Sequence, residues 1–247
     1  MIPVTVHGAE GRMGRLVADL VAASEDCRLA ALVTEPGRDR PAVAWSAGLP
    51  LTGQDRLADV HPTGGVIVDF SLATALTGLL EQNRRLAAPL VIGTTGFAAD
   101  QMAALRAHAA EVPVVLSPNF SIGVPALQMA LRLLARTLPA GFDAAQVETH
   151  HRAKLDRPSG TARWLAAAWQ QERGAAEVTI SSQRLGGVVG EHRWTLADQE
   201  ETLELTHRAH SRRAFLRGVL PAIRFASLAK PGYYGLQDVL ADLAARS

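Results

Sequence analysis

The chain has 247 residues, 48% of them hydrophobic and 20% charged, with a formal net charge of +1. That length supports one large domain or two modest ones, and the balanced charge offers no basic field for nucleic acid or an anionic membrane surface. A single cysteine, Cys27, excludes an intramolecular disulfide and a cysteine-rich metal site, and no stretch reaches the roughly 18 continuous apolar residues of a membrane span.

Ile2 to Val6 reads as a short strand running into His7-Gly8-Ala9-Glu10-Gly11-Arg12-Met13-Gly14, after which Leu16, Val17, Leu20 and Val21 mark a helix. Strand, glycine-rich turn and helix in that order point to a dinucleotide site. Glycines at 8, 11 and 14 allow a tight turn, approach of the backbone to a pyrophosphate, and close packing of helix on strand. Nothing before this strand has the basic segment and apolar run of a signal peptide, so the cytoplasm is the expected compartment. Leu29 to Val33 is the second strand, and Thr34-Glu35-Pro36-Gly37-Arg38-Asp39-Arg40 follows where the adenosine ribose of a dinucleotide would lie. Glu35 favours the free 2′-hydroxyl of NAD, whereas Arg38 and Arg40 favour the 2′-phosphate of NADP. Preference between NADH and NADPH stays open.

Residues 41–64 read as a short strand with connecting loops. Val66 to Ser71, Pro89 to Ile92 and Val112 to Leu116 are apolar runs of the kind buried on both faces of a parallel sheet, with helices through Leu76 to Leu86 and Asp100 to Ala110 between them. This alternation predicts a doubly wound, Rossmann-like parallel sheet over residues 1 to about 120. Gly93-Thr94-Thr95 and Ser117-Pro118-Asn119-Phe120 then fall at carboxyl ends of strands, where a nicotinamide and its ribose would be held.

Ile122 to about Leu138 is a strongly apolar helical pattern, expected to be largely buried and to connect two domains. Strands are predicted at Phe142 to Thr149, Val178 to Arg184, Val188 to Leu196 and Thr202 to His210, with one helix from Ser159 to about Gln171. Consecutive strands without helices imply a mixed or antiparallel sheet, hence a second domain of α+β type. Ser211 is expected to cap a helix through Phe215, Leu216, Val219 and Ile223, bent or interrupted at Pro221, and Lys230 to Gly235 reads as a turn. A final helix around Val239 to Ala245 closes the pattern. The expected division is a dinucleotide-binding domain over 1–121, with 221–247 packing back on it, and a substrate-binding and oligomerisation domain over 122–220.

The densest chemistry lies in Glu148-Thr149-His150-His151-Arg152-Ala153-Lys154-Leu155-Asp156-Arg157-Pro158-Ser159-Gly160-Thr161-Ala162. Two imidazoles and an ammonium group precede a Pro-Ser helix start, whose free N–H groups and dipole suit an anion. Adjacent histidines on a strand face opposite ways, so one alone would be a packed or surface residue, but the combination in one strand-loop-helix unit favours a site. His150, His192 and His207 lack the helical i, i+4 ligand spacing and a cysteine partner, so no metal centre is expected.

Taken together, these residues resemble the dihydrodipicolinate reductases of diaminopimelate and lysine biosynthesis along the whole chain. The resemblance rests on Gly8 to Gly14, Val68-Asp69-Phe70-Ser71, Val91 to Phe97, Pro118 to Val124, and above all the run from His150 to Ala162. It continues in Arg184-Leu185-Gly186, Gly190-Glu191-His192, Leu205 to Arg212, and Lys230 to Tyr234 before Asp238-Val239-Leu240. It implies an enzyme that reduces 4-hydroxy-tetrahydrodipicolinate (dihydrodipicolinate), a cyclic dicarboxylate, to tetrahydrodipicolinate with NADH or NADPH. It further implies His150 and Lys154 in proton transfer, and His151, Lys154, Ser159, Gly160 and Thr161 as substrate ligands. By the same resemblance Gly8, Ala9, Glu10, Gly11, Arg12, Met13, Glu35, Gly93, Thr94, Thr95, Ser117, Pro118, Asn119 and Phe120 hold the cofactor, the protein is a homotetramer, and domain closure accompanies turnover. Three rival readings remain: another two-domain NAD(P) oxidoreductase acting on a semialdehyde or sugar, a non-catalytic dinucleotide sensor, and a catalytically retired paralogue, against which every proton-transfer residue is in place. The first would share the opening 120 residues but not the His150 to Ala162 run, and the second lacks a basic arm for DNA.

Overall fold

The computed structural model describes residues 1–43, 45–174 and 177–246. It divides into two compact units, residues 1–120 with 216–247 and residues 121–215. In the first, seven parallel strands stand in the order β11-β6-β5-β4-β1-β2-β3. They are β1 (Ile2–His7), β2 (Cys27–Thr34), β3 (Leu51–Gly53), β4 (Val66–Asp69), β5 (Leu90–Ile92), β6 (Pro113–Leu116) and β11 (Gly232–Tyr234). Helices α1 (Arg12–Ala22), α2 (Leu57–Val60), α3 (Leu76–Leu86), α4 (Ala99–His108), α7 (Val219–Ala226) and α8 (Leu236–Arg246) cover the two faces.

Alternation along the strands decides which face each residue serves. Val66 and Val68 pack with α1, α7 and α8, while Ile67 between them packs with α3 and α4. Both faces are apolar, which is why the strands read as continuous runs rather than alternating ones. The chain steps from β1 outward to β2 and β3, then returns to β4 on the other side of β1. Such a reversal opens a crevice at the carboxyl ends of β1 and β4.

The second unit is a four-stranded sheet of order β10-β9-β7-β8, in which β7 (Asp143–His150) and β8 (Val178–Arg184) run parallel. β9 (Gly190–Ala197) is antiparallel to both β7 and β10 (Thr202–Ala209). Helices α5 (Gly123–Thr137) and α6 (Gly160–Arg173) cover one face, around a core that includes Leu131, Leu165, Trp169 and Trp194.

Three expectations need correction. Helix α5 is amphipathic rather than largely buried: Leu127 and Leu131 face the core, but Met129 and Leu133 are more than half exposed. The helix expected after Ser211 is broken into a 3-10 turn (Arg212–Leu216) and α7, with Pro221 in the first turn of α7, where its missing N–H has no partner to lose. The Gly232-Tyr233-Tyr234 segment is not a turn but the seventh strand, paired with Pro113, Val114 and Val115. Its signal was weak because three residues carry too little periodicity to separate an edge strand from a turn.

Packing of α1 on the turn that follows β1 depends on Gly14. A Cβ there would lie 2.1 Å from the carbonyl oxygen of Gly8, a backbone atom that cannot swing aside. Gly14→Ala should therefore cost about 1 to 3 kcal/mol, the usual penalty of overpacking, and lower the thermal unfolding midpoint by several degrees. Calorimetry showing an unchanged midpoint would contradict this account of the helix-turn contact.

Candidate active site

In the first unit, the turn after β1 reverses at Gly8, whose φ of +75° is left-handed. A Cβ at Gly8 would also lie 2.7 Å from the backbone of Phe70 and Ser71, so no other residue fits this turn. Gly11 is the N-cap of α1 and no side chain caps the helix. Its first-turn N–H groups therefore keep the capacity to bind an anion. A cavity of about 400 Å³ adjoins this turn, with His7, Gly8, Gly11, Thr34, Glu35 and Ser71 in its wall. Its glycine turn and helix start suit a phosphate-bearing ligand.

The remaining cofactor candidates gather at the same sheet edge. Asp69, at the end of β4, is buried; it accepts from Thr94 Oγ1 at 2.6 Å and pairs with His7 Nδ1 at 2.7 Å, so the ends of β1, β4 and β5 are tied together. Burial pushes the Asp69 pKa up, but the hydrogen bonds from His7, Ser71 and Thr94 outweigh it and leave the carboxyl below its ordinary value. Gly93 gives the Phe70 ring its space, since a Cβ would sit 2.2 Å from it. Ser117 Oγ donates to the Asn119 carbonyl at 2.7 Å, Pro118 and Thr95 are exposed, and the Phe120 ring lies 5.9 Å from that of Phe70. Ala9 and Phe120 are buried as side chains, so they offer a ligand their backbones, while Met13 is half-buried against the core. Glu10 braces the turn by accepting from Thr34 and pairing with Arg40 at 2.9 Å. Arg12 is exposed, and Glu35, also exposed, pairs with Arg38 at 3.2 Å.

In the second unit, Gln146, Glu148 and His150 share the inner face of β7 because strand side chains alternate. Gln146 fits with its nitrogen donating to the Ala162 carbonyl at 3.1 Å and its oxygen accepting from Trp194 Nε1 at 3.3 Å. The chain then leaves the sheet through His151 and Lys154, both half-buried, and returns to regular secondary structure after Ser159. Ser159 Oγ accepts from Ala162 N–H at 3.1 Å and caps α6, with Gly160 and Thr161 opening the helix. Lys154 Nζ is 2.7 Å from Asp156 Oδ1, a contact that draws the Asp156 carboxyl below its usual value.

Glu148 and Arg184 also belong to this cluster, although the sequence pattern assigns neither a role. The carboxylate of Glu148 is fully buried; Oε2 receives His150 Nδ1 at 2.5 Å and Oε1 pairs with Arg184 Nη2 at 2.9 Å. Burial raises the Glu148 pKa, yet Arg184, Ser182 and His150 together hold it below the ordinary range. For His150 burial dominates and the imidazole pKa is lowered despite Glu148. The signal available in sequence was the i, i+2 spacing of Glu148 and His150 on one strand face. His192 and His207 continue the row across the sheet, with ring centroids 5.3 Å from His150 to His192 and 6.3 Å from His192 to His207. Among the described residues no group of three or more potential ligands is disposed to hold a metal.

A doubly wound sheet with a glycine-rich turn after its first strand, joined in one chain to a sheet bearing a histidine-lysine loop, fits a dinucleotide-dependent reductase. Comparison with known proteins is specific. Family profiles described as the N-terminus and C-terminus of dihydrodipicolinate reductase match residues 2–120 and 123–240. A 4-hydroxy-tetrahydrodipicolinate reductase of Rubrobacter xylanophilus is 40% identical, over 98% of this chain and 99% of that protein. Another from Anaeromyxobacter is 37% identical over the full length of both. The solved dihydrodipicolinate reductase of Paenisporosarcina superimposes with a TM-score of 0.81 at 23% identity, covering 96% of this chain and 99% of that one. The chain belongs to the dihydrodipicolinate reductase family. Its activity is the reduction of 4-hydroxy-tetrahydrodipicolinate to tetrahydrodipicolinate with NADH or NADPH, a step of diaminopimelate and lysine biosynthesis.

The buried imidazoles make an acid-side prediction. Burial, helped by the neighbouring histidines, pushes His192 down to about 3. An imidazole protonated only in the unfolded chain favours unfolding as acid is added, so this contribution is absent above the ordinary value of about 6.5 and grows below it. Denaturant unfolding between pH 7 and pH 5 should show falling stability, and His192→Gln should make the mean slope over that window shallower by roughly 1 kcal/mol per pH unit. An identical slope in parent and variant would refute it.

Proposed function

We propose that His150 and Lys154 carry the proton-transfer steps of this reduction. His151, Lys154, Ser159, Gly160 and Thr161 hold the carboxylates of the substrate. The glycine turn from Gly8 to Met13, with Glu35, Gly93, Thr94, Thr95, Ser117, Pro118, Asn119 and Phe120, holds the dinucleotide in the first unit. The observation that carries this reading is the strand-loop-helix from Glu148 to Ala162, which gathers an imidazole bonded to a buried carboxylate, an ammonium group and a capped helix start.

Loss of the 4-hydroxyl of the substrate as water leaves a conjugated cyclic imine with flanking carboxylates, which accepts hydride more readily when electron density is drawn toward the ring nitrogen. Hydride itself comes from the nicotinamide when bound. Lys154 brings a positive charge and three donors to the loop, and His150, whose pKa burial lowers from its ordinary value, offers a ring nitrogen that can take up a proton and pass it on. The Gly160 N–H already bonds the Asp156 carboxylate, so this helix start accepts a carboxylate, and a substrate carboxylate would take the place of Asp156 there, with the Thr161 N–H beside it. The Paenisporosarcina enzyme is described with dipicolinate bound, which supports a planar dicarboxylate as the ligand class here as well.

Association of copies is proposed through the second unit's sheet. Its inner face is covered by α5 and α6, whereas Thr179, Ser181, Gln183, Arg193 and Thr206 on the other face are exposed. A homotetramer working in the cytoplasm is the form we propose; among the described residues no helix is long and apolar enough to cross a membrane.

Lys154→Ala should lower kcat at least about 100-fold, the scale of losing a positioned proton-transfer group, while dinucleotide affinity stays near that of the parent. In the parent enzyme, pyridine-2,6-dicarboxylate should compete with substrate in an assay coupled to the synthase that supplies it. Undiminished turnover in the variant, or no inhibition of the parent, would remove the assignment. Light scattering should give four times the chain mass; a monomer at micromolar concentration would refute the sheet-face association.

A further inference from the structure

We propose that Glu148 and Arg184 are positioning residues for the proton-transfer pair: Glu148 fixes His150 in the tautomer protonated on Nδ1, and Arg184 holds that carboxylate and the Lys154 loop in one register. The proposal rests on the reading of His150 and Lys154 given above.

Glu148 lies two residues before His150, so β7 presents both side chains on one face. An ionised carboxylate only accepts hydrogen bonds, so the ring nitrogen 2.5 Å from Oε2 must be the one bearing the proton. Nε2 is left as an acceptor when the ring is neutral and a donor when it is charged. Space for that nitrogen is provided by Gly190. A Cβ on Gly190 would stand 3.2 Å from His150 Nε2, and the glycine has no left-handed φ that would otherwise require it.

Arg184 sits directly across from His150 in the parallel pairing of β7 with β8. Its guanidinium is almost wholly buried and is shared among several acceptors. It pairs with Glu148 Oε1 at 2.9 Å, donates from Nε to the Lys154 carbonyl at 3.1 Å, and donates from Nη2 to the Asp156 carbonyl. A planar fork of five donors can serve a carboxylate and two carbonyls at once, which an ammonium group cannot. Two further backbone bonds fasten the same corner, Leu185 N–H to the His150 carbonyl at 2.9 Å and Arg152 N–H to the Gly186 carbonyl at 3.1 Å. Buried ion pairs are often matched in stability by apolar residues of similar size. What an apolar pair could not do is orient an imidazole and a lysine loop together.

The charged and titratable groups facing His150 are Glu148 on β7, Lys154 in the loop, Arg184 on β8 and His192 on β9. Glu148 is the anion among them, so removing its charge disfavours the imidazolium and shifts any pH limb belonging to His150 toward lower pH.

The test is a pH series of kcat and KM for the parent, His150→Gln, Glu148→Gln, Arg184→Lys and Gly190→Ala, with nitrogen-15 NMR of the histidine tautomers in the parent. We expect Glu148→Gln to lower kcat about 10- to 100-fold, the scale on which groups orienting a reactive histidine act, with KM little changed and the limb belonging to His150 moved to lower pH. Arg184→Lys should lower kcat while leaving that limb near its parental pH, because a cation for Glu148 remains. Gly190→Ala should slow turnover without moving the tautomer. The NMR signal of the parent should report a proton on Nδ1 of His150, and this holds as a check even where a charge variant fails to fold. Parental kcat and pH profile in Glu148→Gln beside a crippled His150→Gln would overturn this proposal alone, as would an Nε2-protonated His150. Parental turnover in His150→Gln would instead overturn the underlying reading, and this proposal with it.

Discussion

A carboxylate taken out of water has to be met by donors or cations, and each unit of this chain is arranged around one such group at the end of a strand. In the first, Asp69 joins His7 and Thr94, so three strand ends are held at one point beside the glycine turn. In the second, Glu148 joins His150 and Arg184, and through Arg184 the loop that carries Lys154. An unpartnered charge at either place would be costly enough to neutralise itself or disorder the site. The geometry of both clusters is therefore enforced by electrostatics, and the surrounding apolar layers keep water from loosening it.

Much of the fold was legible because its parallel strands are buried on both faces and therefore stand out as apolar runs between glycine-rich turns. Val66 to Asp69 and Leu90 to Ile92 are examples, and each ends in the turn that its neighbours share. Less legible were elements whose identity depends on distant partners. The β11 strand exists because β6 offers it an edge, and α5 exposes Met129 and Leu133 although its composition alone argues for burial. Tertiary context overrides a local pattern in both cases.

The candidate site divides in the same way. Residues gathered in one short run, from His150 to Thr161, announce themselves as chemistry because reactive side chains rarely cluster by chance. Arg184 lies 30 positions from Lys154 and carries no motif of its own, and only the parallel pairing of β7 with β8 brings it to the loop. Cofactor candidates were found as turns at strand ends, but their side-chain duties were not. Glu10, for instance, is a brace between Thr34 and Arg40, a role visible only once β2 lies beside the turn. Sequence thus exposes the groups that do chemistry more readily than those that aim them.

The placement of β11 bears on how the protein is made. The first unit receives its outermost strand and two of its covering helices from residues 216–247, after the whole second unit has been synthesised. At a ribosomal rate of about 5 to 20 residues per second, the edge of β6 waits on the order of ten seconds for the strand that will cover it. During that interval the nascent sheet presents unpaired backbone groups and a bare apolar face to the cell. The second unit, by contrast, is continuous in the chain and can close as soon as it emerges, so the later unit of the two to begin is the earlier to finish.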